Sequence, residues 1–265
     1  MTSKIKQLRE HVIREFSSPL TQALYKQEAK RGLWPSEAFV IKLYFHPRSR
    51  VLDVGCGTGR TTIPLYQKGY DVVGVDVTPA MIESARGIAS QQALPIHYEV
   101  GDATQLRYPN ECFDHALFSY NGWAQIPGRA SRAAALSEIY RVLRPGGHYI
   151  FTTHIRAIKL NRAPFWMKQW MKCFVLKPLG WPVEEEDFGD RFFDRLTETD
   201  DPAIKSVWAG TRQRQFVHIS TDRIVQTMVH DAGFQLIRSA RGTAISANDP
   251  PSSPMFYICK KPSGR

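Results

Sequence analysis

The chain has 265 residues, 43% hydrophobic and 23% charged, which fits one large globular domain, or one domain carrying an insertion, around a substantial core. A net charge of +10 invites an anionic partner, yet the 35 basic residues never form a block of five like charges, so a dedicated nucleic-acid surface is disfavoured. Cys56, Cys112, Cys173 and Cys259 lie far apart with no Cys-x-x-Cys pair, so no metal site or disulfide framework is expected; reduced thiols, no signal-peptide core and no apolar run near the ~20 residues of a bilayer span imply a cytoplasmic setting.

Residues 1–49 read as helical. Ile5, Leu8, Val12, Ile13 and Phe16 recur at helical spacing, Ser18-Pro19 starts a helix that runs to about Arg31, and a third helix after Trp34-Pro35 carries Phe39, Val40, Leu43 and Tyr44. The apolar run ending at Val54 is followed by the turn Gly55-Cys56-Gly57-Thr58-Gly59 and a helix near Arg60. Strand, tight turn and helix together present backbone N–H groups and a helix N-terminus to a nucleotide-like ligand. Asp53, two residues before the first glycine, would repel a pyrophosphate but suits a cationic ligand, or the turn's own amides. The second strand, Tyr70 to Asp76, ends 21 residues beyond Gly55 with an acid placed for ribose hydroxyls.

Thr78-Pro79 caps the next helix, with Met81 in its first turn. Gly101-Asp102-Ala103 follows a short third strand and Cys112 to Ser119 reads as a fourth. A helix from about Ser131 to Leu143 stops at Arg144-Pro145-Gly146-Gly147, and His148 to Thr153 forms a fifth strand. Strands and helices alternating from 50 to 154 predict a parallel sheet with helices on both faces.

Taken together, Val51 to Arg60, Asp76, Gly101-Asp102-Ala103, Cys112 to Ser119 and Arg141 to Phe151 resemble, in order, the landmarks of class I S-adenosylmethionine (SAM)-dependent methyltransferases of small-molecule type. The resemblance implies a Rossmann-like seven-stranded, mostly parallel sheet of order 3-2-1-4-5-7-6 with an antiparallel last strand. It also implies helices on both faces, an N-terminal helical lid over 1–49 and a cap inserted at 155–215 between strands 5 and 6 of a single domain. The cofactor would be SAM, leaving as S-adenosylhomocysteine. Asp102 would bond the adenine amino group, Met81 would pack on the adenine, and Tyr25 and Trp34 are candidate lid residues. The expected cofactor set is Asp53, Gly55, Cys56, Gly57, Gly59, Asp76, Val77, Met81, Asp102, Ala103 and Ser119.

Ser119-Tyr120-Asn121-Gly122-Trp123 lies at the carboxyl edge of the sheet, where ligands of open α/β folds bind. Aromatic faces there attract a sulfonium and an amide can orient a nucleophile, so Tyr120 and Asn121 are catalytic candidates and Trp123 a substrate contact. His154, at the end of the fifth strand, is a candidate base by its pKa range.

Between Arg156 and Lys177 there is no acid: Arg156, Lys159, Arg162, Lys168, Lys172 and Lys177 interleave with apolar residues such as Leu160. If helical, Phe165, Trp166, Trp170 and Phe174 share a face, which reads as a cap packed on the domain, as an aromatic lining for an apolar acceptor (Phe165, Trp166, Trp170), or as a helix lying on a membrane surface. Glu184 to Asp201 then turns acidic, its acids (Glu198, Asp200 and Asp201 among them) set against Arg191 and Arg195 alone, and reads as a solvated face or a partner for the basic stretch. Gln215 to Ser220 is expected to return to the sheet or its edge. Ser220 or Thr221 caps a helix ended by Gly233, and Phe234 to Arg238 and Met255 to Lys260 complete the strands around the loop Asn248 to Pro254.

The expected reaction is methyl transfer to O, N or C of a small, apolar or aromatic metabolite by in-line displacement. RNA methylation through the basic surface and a non-catalytic SAM-fold binding protein are the alternatives. Gly-x-Gly-x-Gly spacing and Asp53 speak against a nicotinamide-dependent oxidoreductase, and the Asp/Asn-Pro-Pro-Tyr/Phe loop of DNA N-methyltransferases does not occur after the fourth strand.

Overall fold

The computed structural model describes residues 2–156, 163–194, 206 and 214–263. Lys159, Leu160, Arg162, Arg195, Glu198, Asp200 and Asp201, named above in the basic and acidic stretches, lie outside the described residues.

Three helices precede the sheet: α1 (Ser3–Ser17), α2 (Pro19–Arg31) and α3 (Pro35–Tyr44). Their starts follow from local chemistry. The Thr2 and Ser18 hydroxyls accept the N–H groups of Ile5 and Thr21 at 3.4 and 3.3 Å, and Glu37 accepts the Trp34 N–H at 2.7 Å.

The main sheet contains β1 (Arg50–Val54), β2 (Asp71–Asp76), β3 (His97–Val100), β4 (Phe113–Phe118), β5 (Leu143–Thr153), β8 (Gln235–Arg241) and β9 (Met255–Lys260), in the order β3-β2-β1-β4-β5-β9-β8. Counted along its own strands this is 3-2-1-4-5-7-6, and β9 runs antiparallel to both neighbours. The crossover helices are α4 (Thr62–Gln67), α5 (Pro79–Gln91), α6 (Arg129–Val142) and α8 (Asp222–Asp231). Alternating side chains of β1 feed two layers: Leu52 and Val54 join the core under α6 and α8, whereas Val51 joins Val40 and Ile41 of α3. β5 begins at Leu143 rather than His148, because Arg144 to Gly147 extends along β4 with a register shift at Phe113–His115.

Gln215 to His218 does not join the main sheet, and only Ser220 touches its edge, through a parallel bridge to Ile155 just beyond β5. β7 (Arg214–His218) pairs with β6 (Asp190–Asp194) in a separate antiparallel ribbon, Phe192 opposite Phe216. Both faces of β7 are covered locally: Phe216 packs with Leu8 and Val12 of α1, and Val217 packs with Ala124 of the 3₁₀ turn Gly122–Gln125. A strand buried on both faces must still pair its backbone, and Asp190–Asp194, expected to be a solvated acidic face, supplies the edge. Arg132 of α6 locks the ribbon down by donating to Asp187 at 2.8 Å, while the Asp190 carboxylate meets the His218 Nδ1 at 2.7 Å.

Before the ribbon come α7 (Ala163–Met171) and a π-helical turn (Lys172–Leu176); α9 (Gly242–Ile245) leads toward β9. Asp249 in the loop before β9 accepts the Ser36 N–H at 2.9 Å and also its hydroxyl, tying α3 to the sheet's far end. Among the described residues, no helix is long and apolar enough to cross a membrane.

Candidate functional site

Strand order reverses between β1 and β4, and the carboxyl ends of the strands there enclose a cleft of about 990 Å³ including its open mouth. The glycine turn lines it with Gly55 and Gly57, and β2 with Asp76 and Val77. The end of β3 adds Asp102 and Ala103, and the end of β4 adds Ser119 and Tyr120. These eight residues, all read from the sequence as site candidates, converge on one space.

Backbone geometry explains the glycines. Gly55 has φ +60°, and a Cβ there would lie 2.4 Å from the Phe118 ring. Only glycine allows that turn and that approach together. Asp76 holds the turn to β2: its Oδ2 accepts the Gly57 N–H at 3.1 Å and its Oδ1 the Thr78 N–H at 2.8 Å. Burial raises the Asp76 pKa, and these N–H bonds oppose the rise. Carboxylate oxygens carry two lone pairs each, so Asp76 retains acceptor capacity beyond these bonds and that of the Thr78 hydroxyl. Tyr120 and Asn121 both have left-handed backbone, φ +53° and +61°, and the Asn121 N–H donates to the Thr152 hydroxyl at 2.8 Å. Consecutive non-glycine residues in that region store strain of the kind found at ligand clamps.

The N-terminal helices close one side, where Arg9, Val12, Phe16 and Tyr25 line the cleft. Arg9 reaches Asp102 Oδ2 at 2.6 Å, while Oδ1 accepts the Thr104 N–H at 2.9 Å. Tyr25 and Trp34 meet the Tyr120 ring edge-on at centroid distances of 5.9 and 5.6 Å. Under that aromatic group sits a buried ion pair. Arg60 donates to both Glu37 oxygens, at 2.7 and 2.6 Å, and its guanidinium lies 4.8 Å from the Tyr120 ring centre. Ser119 donates to the same Glu37 carboxylate. Glu37, Arg60 and Arg9 escaped the sequence reading. A lone acid in an apolar helix carries no motif, although its position three residues after Trp34 marks a capping acid.

Other candidates stand elsewhere. Asp53 shares the pleat direction of Val51 and turns away from the cleft, where its Oδ2 accepts the Thr61 and Thr62 hydroxyls at 2.7 and 2.5 Å. Burial pushes its carboxyl up to about 6 against those two bonds. Cys56 borders a smaller recess behind Gly57, and burial drives its thiol pKa well up. Gly59 faces the Tyr98 hydroxyl, and Met81 is fully buried in α5. Trp123 is also fully buried, its indole N–H donating to the Arg132 carbonyl at 3.3 Å. Neither Met81 nor Trp123 lines the cleft.

His154 lies outside the lining and exposed to solvent just after β5, where desolvation by surrounding protein and the Arg191 cation push its pKa down to about 4. Phe165 lies under the Arg191 guanidinium at 4.5 Å, Trp166 under that of Arg156 at 4.2 Å, and Trp170 is 48% exposed. None of these three lines the cleft.

A methyltransferase-domain model matches residues 51–147. A demethylmenaquinone methyltransferase of Symbiobacterium thermophilum is 38% identical over 131 residues, covering 47% of this chain and 51% of that protein. Phosphoethanolamine N-methyltransferase 3 of Arabidopsis thaliana is 33% identical over 135 residues, 51% of this chain and 27% of that protein. The chain thus spans about half the length, or less, of these curated relatives. A SAM-dependent methyltransferase structure from Methanosarcina mazei shares the fold with a TM-score of 0.64 at 20% identity, over 88% of this chain and all of that one. With the glycine turn, Asp76 and Asp102 gathered in one cleft, residues 51–147 form a methyltransferase domain, and the chain has the fold of SAM-dependent methyltransferases.

Proposed function

We propose that the chain transfers a methyl group from SAM to O, N or C of a small, apolar or aromatic acceptor. The observation that carries this reading is the convergence of two carboxylates, Asp76 and Asp102, and a glycine turn on a largely apolar cleft. That donor set fits SAM: Asp76 for ribose hydroxyls, Asp102 for an exocyclic amino group, Val77 and Ala103 for a flat apolar ring, Gly55 and Gly57 for close backbone approach. Bound SAM supplies a methyl group on a cationic sulfur whose leaving form is neutral. The protein's work is therefore alignment and exclusion of water.

Tyr120 is the residue proposed to orient the acceptor. Tyr120 lines the cleft, its ring is met edge-on by Tyr25 and Trp34, and it carries the Arg60 cation on its face. Asn121 is assigned to setting the Tyr120 backbone through Thr152, and its buried Oδ1 has no partner among the described groups. A base role for His154 would need the acceptor to reach beyond the lining. The apolar side of the cleft, Val12, Phe16, Ile126 and Pro127, supports an apolar acceptor, in line with the relative named for demethylmenaquinone. The relative named for phosphoethanolamine aligns with a similar share of the chain, so this segment carries the cofactor half rather than acceptor choice.

The test is incubation with methyl-labelled SAM and an extract of source cells, with label counted in solvent-extractable, nuclease-sensitive and protease-sensitive fractions. Label in the extractable fraction is expected. Nuclease-sensitive label would replace this reading with RNA methylation, and SAM binding with no label in any fraction would replace it with a non-transferring protein.

A further inference from the structure

Exposed apolar surface is concentrated in one short segment. Among the described residues twelve large hydrophobics are exposed, and seven of them fall between Met167 and Trp181. Trp170 is 48% exposed, Phe174 54%, Trp181 63% and Leu179 69%, with Met167 and Met171 beside them. Isolated exposed apolar residues are ordinary, whereas a contiguous group of this size marks an interaction surface.

The segment is held rigidly from behind. The Arg156 guanidinium lies over both the Trp166 ring at 4.2 Å and the Phe188 ring at 4.4 Å, Gln169 is buried, and Phe174 meets Phe188 at 5.6 Å. From Ala163 to Val183 there is no carboxylate, and the charged residues are Lys168, Lys172 and Lys177. The acids that follow are each paired: Glu184 with Arg214 at 2.7 Å, Glu185 with Lys172 at 2.8 Å and Glu186 with Lys177 at 2.9 Å. Lys168 is left exposed on the helix.

We infer that α7, the π-helical turn and the following turn through Trp181 form a docking surface for an anionic lipid bilayer. The chemistry selects this occupant. Tryptophans prefer the boundary between headgroups and acyl chains, lysines suit anionic headgroups, and the other exposed side chains suit the acyl layer. A protein interface is rimmed by polar side chains, whereas between Ala163 and Val183 every charged side chain is a lysine. The surface also abuts the cleft's cover, since Lys4 at the start of α1 donates to the Glu185 carbonyl at 2.9 Å while Arg9 of the same helix lies over Asp102. An apolar acceptor dissolved in the bilayer would then meet the enzyme one helix away from its cleft. The surface stands on its own residues, so failure of this inference leaves the cofactor assignment intact.

The full chain is tested by flotation with phosphatidylcholine vesicles, with and without phosphatidylglycerol, in the absence of SAM. Binding to the anionic vesicles is expected, weaker binding to the neutral ones, and quenching of tryptophan fluorescence by brominated acyl chains. Trp170→Glu with Trp181→Glu is expected to lower partitioning about tenfold or more. Leu179→Ser with Trp181→Ser gives a milder loss without placing a charge on the face. Circular dichroism and SAM affinity of both variants check the fold. No flotation with either vesicle, or flotation unchanged by both variants, would overturn the inference. So would a dimer in sedimentation that these substitutions dissolve, because a second copy would then cover the face.

Discussion

The Glu37–Arg60 pair under the cleft is open to a quantitative test. Both side chains are almost wholly buried, at 1% and 7% exposure, and the guanidinium donates to both carboxylate oxygens. Arg60→Met removes the cation and leaves a buried carboxylate held only by the Trp34 N–H and the Ser119 hydroxyl. Removing one partner of such a pair costs about 3–5 kcal/mol, because the remaining charge stays desolvated. For a domain of this size that corresponds to a melting-temperature drop of roughly 6–20 °C. Glu37→Met should cost a similar amount. The double variant should cost less than the sum, because two apolar side chains of similar volume leave no charge behind. Urea unfolding of the four proteins at constant slope measures the coupling. SAM affinity separates stability from positioning: the double variant should recover stability without recovering affinity, since Tyr120 loses the cation beneath it. A cost below about 1 kcal/mol for Arg60→Met would refute the reasoning and mean that the pair is solvated.

Three further outcomes follow from the same geometry. Gly55→Ala places a Cβ in left-handed backbone and 2.4 Å from the Phe118 ring, so a loss of roughly 2–5 kcal/mol is expected in urea unfolding; a near-neutral result would show that the turn relaxes. Arg9→Ala breaks a partly exposed pair with Asp102, so amide exchange in the first half of α1 should quicken by up to about fivefold with little change in global stability; unchanged exchange would show that Arg9 does not fasten the helix. His115, buried and stacked on Phe45, has the backbone N–H groups of His46 and His148 facing its two ring nitrogens, one of which accepts in the neutral ring, and burial pushes its pKa down to about 3. The unfolded chain takes up that proton first, near pH 6.5, so stability should fall as pH drops from 6.5 toward 3, by about 2–3 kcal/mol between 6.5 and 4.5; H115N should flatten the slope, and an unchanged slope would move the effect to other groups.

The sheet was legible in the sequence wherever a strand, a turn and a helix followed one another within 30 residues or so, as from Val51 to Asp76, because periodicity and glycine chemistry are local. The same locality located Asp76 and Asp102. What the sequence concealed depends on long-range packing. Nothing in Asp190–Asp194 announces its pairing with Arg214–His218, which arises because α1 and the 3₁₀ turn bury β7 on both faces. Trp123 reads as a loop aromatic until that turn points its indole into the core. Asp53 reads as a ligand group until the pleat sends it to Thr61 and Thr62. Glu37 and Arg60 meet only once α3 folds against the glycine turn.

The central claim is that the cleft between the glycine turn, Asp76 and Asp102 holds SAM. Calorimetric titration of SAM into the wild-type chain and into Asp76→Asn tests it most directly. The substitution keeps the side chain's shape while removing the charge that would meet the ribose hydroxyls. A loss of about 2–4 kcal/mol, roughly 30- to 700-fold in Kd, is expected with an unchanged circular dichroism spectrum. A wild-type chain that binds no SAM, or a folded variant whose Kd stays within about threefold of wild type, would contradict the account.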